Sequence, residues 1–418
     1  MDKIKIRGGK KLSGTVIASG AKNAALPILI SSLLTEEKCL FKSVPDLQDI
    51  RTSFNLLGHL GVEIDENLSN GIVGLNALSV KSPEAPYDLV RKMRASVVVL
   101  GPLLARFGTA KVSLPGGCAI GTRPINYHLS AFEKLGAKIE LENGYVVASA
   151  KRLIGNKITF EFPSVGATEN LMMAATLARG ETVLKNSAKE PEIVDLAGAL
   201  RSMGAEIEGD GTETIRIQGK DRLSGCSYGI MADRIEAGTF LAAGFITGGS
   251  VKVEGIMPIH LEAVLNKFEE AGAVIKREKN AIVLSASERP ESCDIVTAPY
   301  PGFPTDMQAQ FMALMAIGSG SSVITESIFE NRFMHVPELI RLGADITISG
   351  KSAHIRGKQK LIGAPLMATD LRASASLIVA GLCAEGQTVL SRVYHLDRGY
   401  ERIEEKLRSL GAEIERVK

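Results

Sequence analysis

The sequence lacks clustered cysteines, a long apolar run and a marked excess of either charge. Its five cysteines lie far apart among 418 residues and form no CxxC pair or Cys/His cluster, which predicts free thiols and no bound metal. No apolar run reaches the roughly 18 residues of a membrane-spanning helix. A formal net charge of +2 provides no overall field to attract nucleic acid or a membrane surface, so any anion site must be local.

The beginning of the chain also lacks the pattern of a secretory signal. Residues 1–20 alternate charged and apolar side chains instead of placing a basic segment before an apolar one, so we expect a cytoplasmic protein. At 418 residues the chain exceeds what one ordinary hydrophobic core holds, which favours two domains with a cleft. The 42 glycines indicate many tight turns.

What the sequence does contain is an internal repeat, whose most regular element is a glycine flanked by apolar and small residues. Successive copies are separated by 75, 68, 68, 71 and 68 residues. The six copies are centred on Gly61, Gly136, Gly204, Gly272, Gly343 and Gly411. An amphipathic stretch precedes each glycine and a β-branched or alternating run follows it, so each glycine is predicted to end a helix ahead of a strand.

Each copy also contains an earlier helix rich in small apolar residues, then a turn glycine and a Val-rich strand, as in residues 240–253. A unit of this size cannot enclose a core of its own and must pack against other copies. We interpret the six copies as two closed domains of three copies each. The alternative is an open-ended solenoid, whose repeats usually run about 20–50 residues.

Polar residues mark the six places where the first helix of a copy begins. They are Lys22 and Asn23; Arg91, Lys92 and Arg94; Ser164, Thr168 and Asn170; Asp233 and Arg234; Thr305 and Asp306; and Asp370 and Arg372. The first turn of a helix presents unpaired N–H groups and a partial positive charge. If these helix starts converge, the architecture predicts a phosphate-binding site.

Asp306 has the most informative surroundings of this set. Thr305 and Gln308 have the spacing of a capping box, which predicts that the Asp306 carboxylate lies in the first helical turn. One interpretation is an acid that only stabilises the helix dipole. The other is a catalytic carboxylate, favoured by the stiff loop 299–304 with its three prolines.

A glycine-rich segment, residues 114–124, surrounds Cys118 with three glycines and two prolines. Such an exposed loop favours a reactive thiol over a structural one, and Arg123 would favour the thiolate if it lay nearby. Arg332 and Arg398 lie in two further polar loops. Each is a candidate ligand for an anion, with a surface ion pair as the alternative.

With these residues the chain resembles the UDP-N-acetylglucosamine 1-carboxyvinyltransferases of the EPSP synthase superfamily over nearly its whole length. The resemblance is carried by residues 19–23, 93–96, 115–124, 164–170, 302–311, 330–338 and 370–373. It implies an α/β fold of two inside-out α/β barrel domains, each of three βαβαββ-type units. It also implies one discontinuous domain (1–21 plus 231–418), a second domain (22–230) and an active site in the cleft between them.

The resemblance further implies a role for each matching residue. Lys22, Arg123 and Arg398 would hold the phosphate of phosphoenolpyruvate, and Arg332 and Arg372 its carboxylate. Cys118 and Asp306 would be the acid and the base, with Lys22 and Arg398 also catalytic. The remaining residues expected at the nucleotide sugar are Asn23, Arg94, Arg123, Pro124, Ile125, Asn126, Tyr127, Ser164, Val165, Gly166, Ile328, Glu330 and Asp370. Asn126 and Phe162 depart from the family pattern and affect the uracil end.

The reaction implied is transfer of enolpyruvyl to the 3-hydroxyl of UDP-N-acetylglucosamine through a tetrahedral ketal, the first committed step of peptidoglycan synthesis. The resemblance implies no cofactor, metal, nucleic acid or membrane insertion, and we expect a monomer. Cys118 should be trapped by an epoxide antibiotic such as fosfomycin, and its loop should close over substrate. The alternatives are the shikimate-pathway transferase and a non-catalytic nucleotide-sugar-binding paralogue.

Overall fold

A computed structural model describes residues 2–80, 82–91, 93–114 and 125–418, with the backbone alone for Arg94. The chain divides into two compact units. Of the described residues, the discontinuous unit comprises 2–19 and 232–418, and the central unit comprises the remainder of 20–231.

The described residues form 24 strands, numbered in chain order. They are β1 Lys3–Arg7, β2 Ser13–Ile17, β3 Cys39–Lys42, β4 Glu63–Asn67, β5 Ile72–Asn76, β6 Glu84–Ala85, β7 Thr109–Ser113, β8 Lys138–Glu142, β9 Tyr145–Ser149, β10 Lys157–Thr159, β11 Glu181–Lys185, β12 Glu206–Glu208, β13 Thr214–Gln218, β14 Ser227–Gly229, β15 Ser250–Glu254, β16 Val274–Glu278, β17 Ala281–Ser285, β18 Ile295–Val296, β19 Ser321–Thr325, β20 Asp345–Ser349, β21 Ser352–Arg356, β22 Pro365–Met367, β23 Gln387–Ser391 and β24 Glu413–Val417.

The same residues form 13 α-helices. They are α1 Lys22–Ser31, α2 Gln48–Leu60, α3 Tyr87–Val90, α4 Leu100–Phe107, α5 Asn126–Lys134, α6 Val165–Ala175, α7 Pro191–Ser202, α8 Arg234–Ile246, α9 Glu262–Glu270, α10 Gln308–Met315, α11 Val336–Arg341, α12 Leu371–Cys383 and α13 Ile403–Ser409. Short 3-10 helices are Ser32–Leu34, Leu68–Asn70, Arg94–Val99, Pro258–Leu261, Thr305–Met307 and Val393–Arg398.

Within the described ranges the strands form six four-stranded sheets of one topology, three in each unit. Their strand orders are β14-β3-β5-β4, β6-β7-β9-β8 and β10-β11-β13-β12 in the central unit, and β2-β15-β17-β16, β18-β19-β21-β20 and β22-β23-β1-β24 in the discontinuous unit. In every sheet the first two strands are parallel and the other neighbours antiparallel. The strand arrangement of the predicted βαβαββ unit is therefore present in all six sheets. The unit is contiguous in the chain in three of them, and β14, β2 and β1 complete the other three from distant parts of the sequence.

Each unit closes on itself, because a strand from its far end completes its first or last sheet. In the central unit β14 pairs with β3, with Tyr228 opposite Phe41. In the discontinuous unit β1 lies between β23 and β24 and pairs with both. An open-ended solenoid would leave these edges unpaired, so closed domains of three copies are the correct interpretation.

The repeat glycines behave as predicted. All six have positive φ, between 88° and 101°. A strand begins two residues after each of them, at Glu63, Lys138, Glu206, Val274, Asp345 and Glu413. A residue with a side chain is strained in this left-handed conformation, so glycine is the residue that lets the helix end and the chain turn into a strand.

The inside-out arrangement follows from the two kinds of helix in each copy. Every residue of α8 and α10 is buried, and both helices consist mainly of apolar and small residues. A helix that is buried on all sides belongs inside a core. The second helices, such as α2 and α9, bury one face only. The sheets therefore cover a helical core, and each unit has its own hydrophobic cluster.

None of the helices among the described residues is both long enough and apolar enough to cross a membrane.

Candidate active site

Asp306 lies between two arginines in the short helix that precedes α10. Arg332 Nη2 donates to Asp306 Oδ1 at 2.6 Å. Arg372 donates to Asp306 Oδ2 from Nε at 3.1 Å and from Nη2 at 2.9 Å. The Asp306 side chain is 24% exposed, whereas those of Arg332 and Arg372 are 8% and 4% exposed. A partly accessible carboxylate is thus held by two buried guanidinium groups.

These contacts determine the charge of Asp306. Burial alone would raise its pKa, but the charges of Arg372 and Arg332 and their hydrogen bonds outweigh burial and hold the pKa well below its usual value. Asp306 is therefore ionised throughout the neutral range. The interpretation of Asp306 as a helix-dipole acid alone is inadequate, since its charge is engaged by side chains from two other segments.

The guanidinium group of Arg372 is incompletely hydrogen-bonded. Its Nη1 is buried, and no acceptor within the described residues meets it in good hydrogen-bond geometry. Tyr400 also interacts with this group, and the guanidinium carbon lies 5.5 Å from the centroid of the Tyr400 ring. A buried donor without a well-placed acceptor costs free energy, so it favours a site that an anionic ligand completes.

The predicted capping box at Thr305 is wrong. The residue at the N-cap of α10 is Met307, and no side chain caps this helix. The Thr305 hydroxyl instead donates to Glu326 Oε2 at 2.8 Å and accepts from Arg332 Nη1 at 2.7 Å. Charged partners make stronger hydrogen bonds than a backbone amide, and here they take the hydroxyl away from the helix.

The other two helix starts of the discontinuous unit are capped by aspartates. Asp233 accepts from the N–H groups of the second and third residues that follow it, at 2.8 and 3.0 Å. Asp370 caps α12 through the N–H groups of Arg372 and Ala373, at 2.9 and 3.0 Å. The cap at Asp370 directs the chain so that Arg372, two residues on, reaches Asp306. The helix starts at Asp306 and Arg372 therefore come together.

His335 lies beside this cluster, at the N-cap of α11. It is buried, and its Nε2 has no hydrogen-bond partner within the described residues. Burial lowers its pKa to about 4, with the Arg332 charge adding to the effect and Asp370 opposing it. His335 is therefore neutral at pH 7.

In the central unit, Lys22 begins α1 and is buried. Its Nζ donates to Asp49 Oδ2 at 3.3 Å. The following residue, Asn23, is exposed. Lys22 therefore forms a buried ion pair with Asp49.

Two further predicted segments of the central unit are brought together by α5 and α6. Ser164 caps α6 by accepting from Ala167 N at 3.4 Å. His128, in the first turn of α5, lies 3.0 Å from the Asn170 amide nitrogen of α6. A Cβ placed on Gly166 would lie 3.6 Å from the His128 ring. The segments Ile125–Tyr127 and Ser164–Gly166 are therefore neighbours.

The remaining predicted residues are placed as follows. Ile328 is half-buried and Glu330 exposed in the loop after β19, while Arg398 is half-buried at the end of the helix Val393–Arg398. Asn126 is exposed as the first residue of α5, and Phe162 is 42% exposed. Arg94 begins the helix Arg94–Val99.

The predictions for Cys118, Arg123, Pro124 and Lys92 lie outside the described residues. The other four cysteines, Cys39, Cys226, Cys293 and Cys383, are free thiols, as predicted. Among the residues that the structure describes, no group of three His, Cys, Asp or Glu side chains is arranged to hold a metal ion.

Comparison with known proteins gives full-length relatives. The chain is 57% identical over 418 residues to the UDP-N-acetylglucosamine 1-carboxyvinyltransferase of Geobacter metallireducens, covering 100% of both chains. It is 56% identical to the enzyme of the same name from Idiomarina loihiensis, again over 100% of both. The chain belongs to this family. Membership confirms the resemblance carried by the glycine-rich, helix-start and arginine motifs.

Family membership agrees with two broader comparisons. The sequence profile described as EPSP synthase (3-phosphoshikimate 1-carboxyvinyltransferase) matches residues 6–407. The solved enolpyruvyl transferase NikO of Streptomyces tendae superposes with a TM-score of 0.89 at 24% identity, covering 100% of this chain and 99% of NikO. EPSP synthase of Acinetobacter baumannii superposes with a TM-score of 0.77 at 18% identity, covering 100% of both. These two structures show the shared fold and confirm the predicted fold class.

Sequence reasoning missed Glu326 and the contacts that the Thr305 hydroxyl makes in this cluster. Glu326 follows a β-branched strand and carries no motif of its own. The available signal was a lone acid directly after an apolar strand, which is also typical of a solvated loop. Only the pairing with Thr305, 21 residues away, distinguishes it.

Proposed function

We propose that this chain transfers the enolpyruvyl group of phosphoenolpyruvate to the 3-hydroxyl of UDP-N-acetylglucosamine and releases phosphate. The observation that carries this function is a partly accessible Asp306 carboxylate kept ionised between Arg332 and Arg372. Arg372 Nη1 offers a further buried donor for an anion. The names of the full-length relatives support the choice of acceptor.

The chemistry requires an acid and a base that exchange roles. In the addition step, the sugar 3-oxygen bonds to C2 of the enol phosphate while C3 gains a proton, giving a tetrahedral ketal that still carries phosphate. In the elimination step, C3 loses a proton, the bond from C2 to the phosphate oxygen breaks, and the enol ether remains. Cys118 is the proposed acid toward C3, and Asp306 the proposed base toward the sugar hydroxyl.

Positive charge supplies much of the proposed rate enhancement. Lys22, Arg123 and Arg398 would hold the phosphate, and Arg332 and Arg372 the carboxylate. Planar guanidinium groups make paired hydrogen bonds to both anions. Fixed donors directed at the charge that develops in the transition state are a large source of catalysis.

The contacts of Asp306 with Arg332 and Arg372 also lower its basicity, and substrate binding would restore it. A carboxylate with a strongly lowered pKa is a weak base, so Asp306 in its present pairing would accept a proton poorly. A substrate carboxylate that takes hydrogen bonds from Arg372 and Arg332 would share their charge with Asp306. The pKa of Asp306 would then rise toward its usual value. Substrate binding would thereby activate the base.

The nucleotide sugar would be held by residues from several segments. Its proposed contacts are Asn23, Arg94, Arg123, Pro124, Ile125, Asn126, Tyr127, Ser164, Val165, Gly166, Asp306, Ile328, Glu330 and Asp370. The adjacency of α5 and α6 supports the pairing of two of these segments. The proposed residues belong to the discontinuous domain (1–21 plus 231–418) and to the second domain (22–230). We further propose a cytoplasmic monomer that acts in peptidoglycan synthesis.

The test measures phosphate release from phosphoenolpyruvate in chelator-treated buffer. Wild-type protein is compared with Asp306→Ala, Cys118→Ala and the control Asp345→Asn, whose acid is 41% exposed and pairs with Lys358. We expect release that depends on UDP-N-acetylglucosamine, that collapses in Asp306→Ala and that persists in Asp345→Asn. Equal activity of Asp306→Ala and wild type would contradict the role of the base.

A second candidate acceptor is shikimate 3-phosphate, because the matching profile carries the name of that transferase. The same assay with this acceptor separates the two activities. Release with shikimate 3-phosphate alone would favour the second candidate. Binding of the nucleotide sugar without any phosphate release would instead indicate a non-catalytic protein.

Cys118 is tested separately by alkylation with an epoxide antibiotic. Cys383→Ala serves as the control, because burial raises the pKa of the Cys383 thiol to about 12 and makes it a poor nucleophile. We expect mass spectrometry to find one adduct in wild type and in Cys383→Ala, and none in Cys118→Ala. An adduct that persists in Cys118→Ala would contradict the assignment.

A further inference from the structure

Glu326 is a buried acid whose carboxyl group faces four hydrogen-bond donors. It directly follows β19 and is 1% exposed. Its Oε1 accepts from Thr297 Oγ1 at 2.9 Å and from the N–H groups of Ile328 and Phe329 at 2.9 and 3.2 Å. Its Oε2 accepts from Thr305 Oγ1 at 2.8 Å. All four contacts use the carboxyl group as an acceptor, which is the role of a carboxylate.

The contact with Thr305 has a consequence for Arg332. A threonine hydroxyl has a single proton, and Thr305 donates it in a hydrogen bond to Glu326. The Thr305 oxygen therefore presents lone pairs to its other neighbour, Arg332 Nη1, at 2.7 Å. Arg332 can only donate, so this orientation of the hydroxyl is the one that permits the contact.

Arg332 carries the effect to the proposed base. While Nη1 is held by Thr305, Nη2 of the same planar group donates to Asp306 at 2.6 Å. The guanidinium group is thus fixed at two corners. A continuous series of hydrogen bonds thus runs from Glu326 through Thr305 and Arg332 to Asp306, and Arg372 holds the far side of Asp306. Glu326 sets the direction of the Thr305 hydroxyl in this series.

We infer that Glu326 is a positioning residue for the enolpyruvyl transfer proposed above, on which this inference rests. It orients the Thr305 hydroxyl so that its oxygen meets Arg332, and it thereby holds Arg332 against Asp306 in the geometry that receives the substrate carboxylate. Glu326 itself touches neither Arg332 nor Asp306 through any hydrogen bond found in the described residues, and so acts through Thr305.

Glu326→Gln tests this role because it changes one acceptor into a donor with little change of shape. An amide NH₂ group facing Thr305 would make the hydroxyl an acceptor and turn its proton toward Arg332, which cannot accept it. If the amide turned the other way, its NH₂ group would face Thr297 Oγ1 and two N–H groups. A double-mutant cycle with Thr305→Val separates the two effects, since only the first passes through Thr305.

For Glu326→Gln and for Thr305→Val we expect kcat/KM for phosphoenolpyruvate to fall about tenfold or more, since each leaves a buried donor of Arg332 without its partner. KM for UDP-N-acetylglucosamine should change less than about twofold, as Arg332 is assigned to the other substrate. The double variant should lose little more than Thr305→Val alone. Thr305→Ser, which keeps the hydroxyl, should restore most of the activity.

Thr297→Val is the matched control, because it removes a different donor to Glu326 and leaves Thr305 and Arg332 in place. It should retain kcat/KM for phosphoenolpyruvate within about threefold, below the loss of about tenfold expected for Glu326→Gln. Should Glu326→Gln fail to fold, as judged by circular dichroism, the comparison of Thr305→Val with Thr305→Ser carries the test.

Two results would overturn the inference. One is a Thr305→Val variant with wild-type kinetics toward phosphoenolpyruvate. The other is full additivity of the Glu326→Gln and Thr305→Val losses, which would assign Glu326 to the loop backbone instead. Both are read against an active wild-type protein. Absence of acceptor-dependent release from wild type would instead refute the proposed function itself.

Discussion

Asp306 in the discontinuous unit and Glu169 in the central unit are both carboxyl groups near the beginning of a buried helix, yet their pKa values move in opposite directions. The pKa of Asp306 lies well below its usual value because two guanidinium groups outweigh its burial. The pKa of Glu169 lies well above its usual value because burial is reinforced by the acids Glu192 and Glu190. Burial alone would raise the pKa at both sites, so the difference between them comes from the neighbouring charges.

The comparison shows what converts a helix start into a candidate active site. Both helices have a similar composition of small apolar residues, so the local sequence does not distinguish them. The distinction comes from segments distant in the chain: Arg332 and Arg372 at one site, and two acids at the other. An ionised carboxylate suits base catalysis and anion-linked chemistry, whereas a protonated one suits neither.

The largest expected effect separates the two carboxyl groups by activity. Asp306→Asn keeps the shape and removes the charge, and turnover should fall about 10²–10⁴-fold, the usual contribution of a general base. Glu169→Gln should remain within about threefold of wild type, because Glu169 has no assigned part in the reaction and an amide has nearly the shape of a carboxyl group. Phosphate release measures both, and equal losses in the two variants would abolish the comparison.

His335 provides a third buried titratable group, and burial is the leading influence on its pKa. Its folded-state pKa of about 4 lies below the ordinary 6.5, so the unfolded chain binds a proton between these values and the folded chain does not. Stability should therefore fall by about 3 kcal/mol as the pH falls from 6.5 through 4. His335→Gln should lose less over this range, as measured by urea unfolding at pH 7 and pH 4.5.

His354→Gln is the control for this experiment, since His354 is exposed. It should follow the wild-type dependence on pH. If His335→Gln and wild type lost stability equally between the two pH values, the buried neutral His335 would be refuted.

A smaller effect is expected from Glu169→Gln on stability. Because the folded pKa of Glu169 is raised, the wild type loses stability as the pH rises above about 4.3, where the unfolded carboxyl group ionises. The glutamine variant has no such loss and should become more stable relative to wild type between pH 4 and pH 7, as measured by urea unfolding.

Asp306→Asn should show the opposite trend in the same urea titrations. The lowered pKa stabilises the folded state above about pH 3.9, and this contribution is lost as the pH falls through the folded-state pKa. The free energy of unfolding of the variant should therefore be lower than that of wild type at pH 7, and the two values should converge in acid. If the stability of Asp306→Asn and that of Glu169→Gln changed with pH in the same direction relative to wild type, the proposed difference in charge between the two sites would be contradicted.

The smallest expected effect is a displacement of the acid limb of the activity profile. The profile of kcat/KM reports groups of the free protein, and that of kcat reports groups of the substrate complex. If the substrate carboxylate draws Arg372 and Arg332 away from Asp306, the pKa of Asp306 rises when substrate binds. The acid limb of kcat should then lie at higher pH than that of kcat/KM. Coincident limbs would argue against activation of the base by substrate.

More of the fold than of the candidate active site could be predicted from the sequence. The six repeat glycines located the helix ends and strand starts, because a left-handed residue at a helix end is a local requirement. The motifs also identified Asp306, Arg332 and Arg372 as candidates. They did not show that the three form one cluster, and the local spacing led to a capping box at Thr305 that the structure does not contain.

The repeated βαβαββ unit, its count and the identity of the charged residues could be predicted from the sequence, because the repeat spacing, the turn glycines and the family motifs are all visible along the chain. Which of these charges meet depends on the folded unit. Arg372 reaches Asp306 across 66 residues, and Thr305 is drawn to Glu326 across 21. The strength of such contacts depends on distance and burial, which arise when the copies close into a unit.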